Sequence, residues 1–576
     1  MVTLCASFVP QTPAQQFTQI LDPNNPVVQD QFESGGGCWI DINNDGYLDL
    51  FVANGNLTSQ NNSLYLNDRS GGFIKVTTGA VVNNGGTSIG ATFGDYNRDG
   101  NIDLFVTNRN NFGNFLFLGT GDTIFTQVTS EPPATDIANS NMSSWIDIDN
   151  DGNLDLHVIN FQGNNFWYRN SGPPLYAFSR IDSSSIVTDS SAFSIPGLWG
   201  DVNNDRLPDL FVGNAGAEND VLHTNGDNST FSTSTFNDGR ATLGASWGDY
   251  DNDGDLDLFV AHYLGQDNRL YRNGGAPSYQ LVPVDTGIVS NDAGNSVGTA
   301  WGDYDNDGDL DLFVANDVQD NLLYENLGPP AYAFRKVSGE PPTLGGGNSF
   351  GAVWGDYDHD GDLDLLVANR LNQKNFLYRN NGNSNAWLIV HCVGSFSNAG
   401  AIGAKVRVKA NIGGQTVWQL REVAGQTGYN SQNLLLHFGL SNATVIDSII
   451  VEWPSGITTY HTNVSVSRYV TVSEDGSISA VTQQHRDVPD RAQLVQNYPN
   501  PFNPTTTIRF EVSGKMLIAL RVYDLLGREL ETLIHEEKDP GSYDISFNGS
   551  SLASGIYFYR LEAGKTVHIK KMVILK

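Results

Sequence analysis

A nine-residue acidic pattern, D-x-[DN]-x-D-G-x-x-D, recurs seven times in the chain, starting at Asp41, Asp95, Asp147, Asp201, Asp249, Asp303 and Asp356. Successive starts lie 54, 52, 54, 48, 54 and 53 residues apart, so any fold must accommodate an array of similar units. The fullest copies read WGDYDNDGDLDLFVA, at Trp247–Ala261 and Trp301–Ala315. In each period a small-residue segment such as Gly244-Ala245-Ser246-Trp247 leads into the acidic loop. An alternating run follows, with Leu256, Leu258 and Val260 on one face and Asp257 and Phe259 on the other. A polar turn, an aromatic run such as Leu270–Asn273 and a fourth run such as Tyr279–Val282 complete the period.

Period-2 runs split by Gly, Asn and Asp clusters read as strands. Four strands per ~50 residues, repeated in phase, predict an all-β chain and a seven-bladed β-propeller over residues 12–383. A linear solenoid is the runner-up, but it needs atypical capping repeats, and the first and last copies look ordinary.

The loop has a chemical logic. Oxygens at alternate positions converge on one centre when a glycine lets the chain turn sharply between them, and Ca²⁺ takes about six to eight oxygens. Positions one, three, five and nine would give side-chain ligands, and position seven a carbonyl. The seven candidate sites are then Asp41, Asn43, Asp45 and Asp49 with Tyr47; Asp95, Asn97, Asp99 and Asp103 with Asn101; Asp147, Asp149, Asp151 and Asp155 with Asn153; Asp201, Asn203, Asp205 and Asp209 with Leu207. The remaining three are Asp249, Asp251, Asp253 and Asp257 with Asp255; Asp303, Asp305, Asp307 and Asp311 with Asp309; and Asp356, Asp358, Asp360 and Asp364 with Asp362. The loop begins like an EF-hand but closes at the ninth position and leads into a strand. Mg²⁺ suits it less, since that ion keeps its waters in a tighter octahedron. Metal-free Asx turns are the alternative. The fourth copy carries Arg206 where the others have glycine, which resists the turn and adds positive charge, so it is expected to be the weakest site.

The charge distribution agrees. Residues 1–383 hold 48 acidic and 15 basic side chains, whereas residues 384–576 hold 16 and 17, so the whole excess of the −32 chain lies in the repeats. Such a charge argues against nucleic acid or an anionic membrane surface as partner. Aromatics at 11% exclude a disordered acidic tail. No apolar run approaches the ~18 residues of a membrane span. Three cysteines, Cys5, Cys38 and Cys392, make no disulfide framework. Residues 1–11 read as a signal-peptide remnant or a frayed terminus, because the first basic residue is Arg69.

Here the residues resemble the FG-GAP/VCBS repeats of integrin-α-like propellers, across roughly residues 12–383. The resemblance implies structural calcium and a ligand face opposite the metal loops. The ligand candidates are residues at the turns after the second strand of a repeat: Arg109, Phe161, His262, Tyr263 and Arg370.

Residues 384–475 lose the period. The segments Ala401–Ala404, Arg421–Val423, Gly428–Gln432, His437–Leu440 and Trp453–Gly456 together resemble the ASPIC/UnbV domain, which follows such propellers in cartilage acidic protein and its bacterial relatives. A small β-domain that buttresses the repeats is the expectation. Residues 476–493 read as a polar linker. Residues 494–576, with Asn497-Tyr498-Pro499-Asn500-Pro501 and a basic last strand containing Lys570 and Lys571, read as an Ig-like β-sandwich. They resemble the C-terminal sorting domain of type IX secretion in Bacteroidota-like bacteria, which implies that machinery as a partner and an extracellular or cell-surface location.

G-x-S-x-G occurs at Gly86–Gly90, Gly294–Gly298 and Gly347–Gly351. Each copy leads into a strand before an acidic loop and lacks the strand–turn–helix context of a nucleophile elbow. His359, inside the seventh loop, is expected to be solvated. Two functions remain: a calcium-stabilised protein that binds or adheres to a carbohydrate or protein ligand, or an extracellular lyase or hydrolase with its site at the propeller axis.

Overall fold

The last aspartate of each acidic loop is also the first residue of a strand: Asp49–Asn54, Asp103–Asn108, Asp155–Asn160, Asp209–Asn214, Asp257–His262, Asp311–Asn316 and Asp364–Asn369. The computed structural model describes residues 15–481 except 122, 189–192, 217, 227–228, 238, 426–429 and 431–432, and residues 493–575 except 495–496, 498–499, 513–515, 526–527, 539–540 and 564–565. The expected N-terminal remnant, 1–11, lies outside them.

The chain is all-β. Each of those strands is the second of a four-stranded antiparallel sheet, and the described residues form seven such sheets. The first strand of each repeat packs beside the first strand of the next, and Ser349–Gly355 of the seventh packs beside Ser34–Ile40 of the first. The alternation read in the sequence predicted one buried face per strand. Instead Leu258, Phe259 and Val260 are all buried, because neighbouring sheets cover both faces.

The Trp-Gly pair before the loop has a packing role. A Cβ on Gly248 would lie 2.9 Å from Trp301 Cδ1, and one on Gly355 would lie 2.7 Å from Trp39 Cδ1. Each indole lies over the glycine of the preceding sheet and donates back to it, Trp301 Nε1 to Ser246 O at 3.4 Å and Trp39 Nε1 to Val353 O at 3.3 Å. The second pair joins the seventh sheet to the first. The seventh sheet takes its fourth strand from the other end of the array: Phe17–Gln19 pairs with Phe376–Asn380, Phe17 opposite Asn380.

Residues up to Val481 form one compact unit with the repeats. Beyond the repeats, two four-stranded sheets enclose a core that includes Leu388, Val390, Val406, Phe438, Ile449 and Trp453. That core is continuous with Trp145 and Trp199 of the third and fourth repeats. The expected linker, 476–493, requires correction at its start: Ile478–Val481 is a strand paired with Arg468–Ser473. Asp475-Gly476, with Gly476 at φ 87°, makes the turn that the sequence reading passed over.

Residues 482–576 form a second unit. Its described strands make a three-stranded and a four-stranded sheet around Ile508, Phe510, Leu520, Tyr559 and Met572. Among the described residues no helix is long and apolar enough to cross a membrane.

Candidate metal centres

The acidic loops share one hydrogen-bonded frame. In the fifth, Asp249 Oδ1 accepts from the Asp253 N–H at 3.0 Å and Oδ2 from the Gly254 N–H at 3.2 Å. Asp257 Oδ2 accepts from the Tyr250 N–H at 3.2 Å, and its Oδ1 from the Asn273 N–H at 2.7 Å. Two residues per loop are left-handed. The fourth position is Asn44, Arg98, Asn150, Asn204, Asn252, Asn306 or His359, and the sixth is glycine in six loops, as in Gly254 at φ 92°. Arg206 takes the same turn at φ 73°, so the fourth loop closes at a conformational cost.

This frame draws carboxylates together. One oxygen from each of Asp147, Asp149 and Asp151 lies within 4.8 Å of the others; the same holds for Asp249, Asp251 and Asp257, for Asp303, Asp305 and Asp311, and for Asp356, Asp358 and Asp360. Crowding and burial disfavour the charged forms. Burial, with the neighbouring aspartates adding to it, pushes Asp49, Asp103 and Asp209 up to about 8. Asp249 rises to about 8 for the same reasons, opposed by Arg421.

The donor set suits a hard cation. The third-position oxygens Asp149 Oδ1, Asp251 Oδ1 and Asp358 Oδ1 are buried with no hydrogen-bond partner. A buried carboxylate oxygen left without a donor is costly unless a cation meets it. Arg272 approaches from the outer side, Nε 2.5 Å from Asp251 Oδ2 and Nη2 3.0 Å from Asp253 Oδ2. When bound, Ca²⁺ would supply charge neutralisation and five or more cross-links per loop.

The fourth loop differs in what surrounds it. Lys405 Nζ lies 3.0 Å from Asp201 Oδ2 and donates to Asp201 O at 2.6 Å and Asn204 Oδ1 at 2.5 Å, with the pair almost fully buried. Arg206 turns away from its own carboxylates toward the domain over the loops, donating to Gly456 O and to Thr458 Oγ1. The sequence identified Arg206 as the odd residue; the nearer cation is Lys405, some 200 residues away in the chain.

The eight-stranded domain sits on the acidic-loop side. Besides Lys405, Arg98 Nη2 donates to Ser395 O at 2.9 Å, Asn150 Nδ2 to Pro454 O at 3.0 Å and the Ser441 N–H to Asn306 O at 2.7 Å. The Tyr469 hydroxyl donates to Asp356 Oδ2 at 2.5 Å. His359 is not solvated, contrary to expectation: it stacks between Tyr47 and Tyr469, with centroids at 4.3 and 4.7 Å.

At the other end of the ring, Arg109, Phe161, Tyr263 and Arg370 each follow a second strand, and their N–H groups bond to carbonyls just before the first strands. Gly55, Ala215 and Asp317 occupy the same place in the other repeats. Tyr263 and Arg370 converge on Asp317: the hydroxyl donates to Oδ2 at 2.6 Å and Arg370 Nη2 pairs with the same oxygen. Arg109 instead bonds Asn141 and Asn56, and Phe161 packs on Phe193. His262 requires correction as a ligand residue, because it ends a strand and is fully buried. One residue further out, Leu264, Val318 and Leu371 are 70%, 70% and 46% exposed, all with left-handed backbone.

A cavity of about 120 Å³ separates the loops from the domain, lined by Trp247, Trp301, Asp249, Asp303, Arg421 and His437 among others. Burial pushes His437 down to about 4, and raises the neighbouring Glu422 to about 7.

One set of residues escaped the sequence reading. An asparagine is the last residue of the third strand in five repeats and the last but one, Asn225, in a sixth, and its side chain reaches the preceding loop. Asn273 Nδ2 donates to Val202 O at 2.9 Å, Asn326 Nδ2 to Tyr250 O at 2.8 Å and Asn67 Nδ2 to Tyr357 O at 2.7 Å. The signal was present in the run ending at Asn67, Asn170, Asn225, Asn273, Asn326 and Asn380.

These repeats and loops define a class of all-β repeat protein with aspartate-rich turns. The FG-GAP-like repeat model matches at 41–106, 96–158, 147–212, 201–260, 249–314 and 303–367, together more than half of the chain, and the chain belongs to that family. The ASPIC and UnbV model matches residues 394–479, and the secretion system C-terminal sorting domain matches residues 496–575. The last match marks a protein secreted by the type IX route to the cell surface or extracellular space. No curated protein gives a significant match. Two solved structures, both crystals of BBS1N in complex with ARL6DN, soaked with mercury or with lead, are 12% identical over 64% of this chain and 97% of that one, with a TM-score of 0.40. A likeness of that size supports no inference.

Proposed function

We propose that the chain is a secreted or cell-surface, calcium-stabilised seven-bladed β-propeller that binds a carbohydrate or extracellular protein ligand. Residues 12–383 would be the propeller, 384–475 the ASPIC/UnbV-like domain and 494–576 the sorting sandwich. Up to seven Ca²⁺ would occupy the loops, the fourth most weakly because Lys405 already holds Asp201. The observation that carries the ligand reading is the asymmetry of the two ends. The acidic-loop side is covered by residues of 384–481, while the other side presents Arg109, Phe161, Tyr263 and Arg370 on one repeated backbone position. Exposed Leu264, Val318 and Leu371 surround part of that end. Loops on a rigid scaffold are where binding residues gather.

The test is a glycan and matrix-protein array probed with the full chain in millimolar calcium. A ligand whose binding is lost on combined alanine substitution of Arg109, Phe161, Tyr263 and Arg370 supports the reading; a ligand bound equally well by that variant removes it. Deleting residues from about Arg491 onward should abolish surface delivery while leaving the repeats folded.

The enzymatic alternative draws on one observation, the charged and aromatic cavity around Arg421. At about 120 Å³ it falls below the ~300 Å³ where small-molecule pockets begin. The binding reading is preferred.

A further inference from the structure

The acidic loops face a surface as well as an ion, and the surface belongs to the same chain. We propose that residues 384–481 dock on the repeat ring as a calcium-dependent partner, so that loops with cations bound form the seat of this domain. The proposal rests on the calcium reading above and goes beyond it, since bound calcium need not govern docking.

The contacts are made through the loops themselves. The Tyr469 hydroxyl bonds the second oxygen of Asp356, whose other oxygen holds the Asp360 N–H. Gly439 lies so close to the sixth loop that a Cβ there would fall 2.0 Å from Asp303 Oδ2 and 2.6 Å from the Asn306 backbone. The Ser441 N–H bonds Asn306 O, His437 Nε2 meets Gly361 O at 3.1 Å and Arg407 Nη1 donates to Gly254 O at 3.0 Å. Asp303 and Asp356 are thereby sealed from water, at 1% and 3% exposure.

Sealing a carboxylate cluster without counter-charge is strongly unfavourable. At the fourth loop the domain brings its own cation, Lys405, to Asp201. At the sixth loop it brings one buried cation, Arg421, which lies beside Asp303, Asp309 and Asp311 and is shared with Asp249, and at the seventh a tyrosine hydroxyl and backbone groups; a single shared cation cannot balance the aspartates of two loops. The remaining counter-charge must come from the loop ions. Lys405 is then the calcium-independent anchor, and the side over the sixth and seventh loops is the calcium-dependent one. Linkage is reciprocal: if calcium favours docking, docking favours calcium by the same factor.

The experiment is hydrogen exchange on the full chain in millimolar calcium and in excess chelator, with calcium binding measured by calorimetry on the same protein. The expected result is at least tenfold faster exchange in chelator of the Ser441 N–H, which bonds Asn306 O, while the strand Ala386–Val393 stays protected. Equal protection in both conditions, with calcium bound in the calorimeter, overturns the proposal and leaves the calcium reading standing. Absence of calcium binding overturns both. Loss of protection throughout 386–473 in chelator also overturns it, since the domain would then be unfolding and not undocking. As a second arm, Gly439→Leu should undock the domain even in calcium and weaken at least one class of calcium site about fivefold or more. Undiminished calcium affinity in an undocked Gly439→Leu protein also counts against the coupling.

Discussion

At one end of the ring every repeat spends the same nine positions in the same way: two left-handed residues, a carboxylate held by two N–H groups, and a closing aspartate that starts a strand. At the other end the backbone is just as regular, yet the residue after the second strand is Gly55, Arg109, Phe161, Ala215, Tyr263, Asp317 or Arg370. Both ends are equally well built, so regular backbone does not distinguish them. What differs is which atoms are held constant. Where each loop is proposed to hold the same ion, side chains must repeat; where only the scaffold repeats, side chains are free to diverge.

The largest effect separates the ends most sharply. Excess chelator should lower the melting temperature of the repeat unit by more than about 10 °C, since each site at a hundredfold excess over its dissociation constant contributes about 2.7 kcal/mol and each kcal/mol is worth about 1 °C in a unit of this size. Replacing Leu264, Val318 and Leu371 together by serine should move it by no more than about 2 °C, because these side chains contact solvent. Identical melts in chelator and in calcium would break the comparison.

Within the acidic end, Asp251→Ala should remove one bound calcium, because Asp251 Oδ1 has no other partner. Asp205→Ala should leave the count unchanged in sub-millimolar calcium, where the loop beside Lys405 is emptiest. Equilibrium dialysis of both variants reads this directly, and a lost ion in the second with none lost in the first would invert the ranking.

The pH dependence follows from the burial of Asp49, Asp103, Asp209 and Asp249, each pushed to about 8 in the metal-free loop. A raised carboxyl means the folded state binds protons the unfolded chain has lost, so the associated stability is complete below about pH 4 and is lost as pH rises through about 8. In chelator, thermal melts should therefore fall between pH 5 and pH 8; in saturating calcium that slope should shrink. A chelator series whose melting temperature rises over this range would contradict the electrostatics.

The smallest effect belongs to the other end. Val318 is β-branched at φ 60°, a position that suits glycine. Val318→Gly should raise stability slightly, by about 1 kcal/mol or less, while any apolar ligand contact at that tip is lost.

The repeat, its phase and the converging aspartates were legible because each is a local pattern: Asp249 to Asp257 span nine residues whatever the chain does next. Three features were not. The all-round burial of Phe259 depends on a neighbouring sheet that periodicity within one strand cannot reveal. His262 reads as a loop residue because it follows Ala261 where other repeats have asparagine, yet it takes the buried asparagine's place. Lys405 is one basic residue among several in a segment with no period, and its meaning exists only once the domain lies against Asp201.

The strand Phe17–Gln19 joins residues over 350 positions apart, opposite Tyr378, Arg379 and Asn380. Among the described residues the other six four-stranded repeat sheets are each finished from within their own repeat, but this one waits for the other end of the array, as does the short pairing of Gln31–Phe32 with Gln373–Lys374. The seam is therefore both the last interface to form and the one with the fewest local contacts to re-form it after a fluctuation. A pulling force applied at the two ends of the array would meet these three paired residues first and the Gln31–Phe32 pairing with Gln373–Lys374 next, so the array should begin to unzip at the seam.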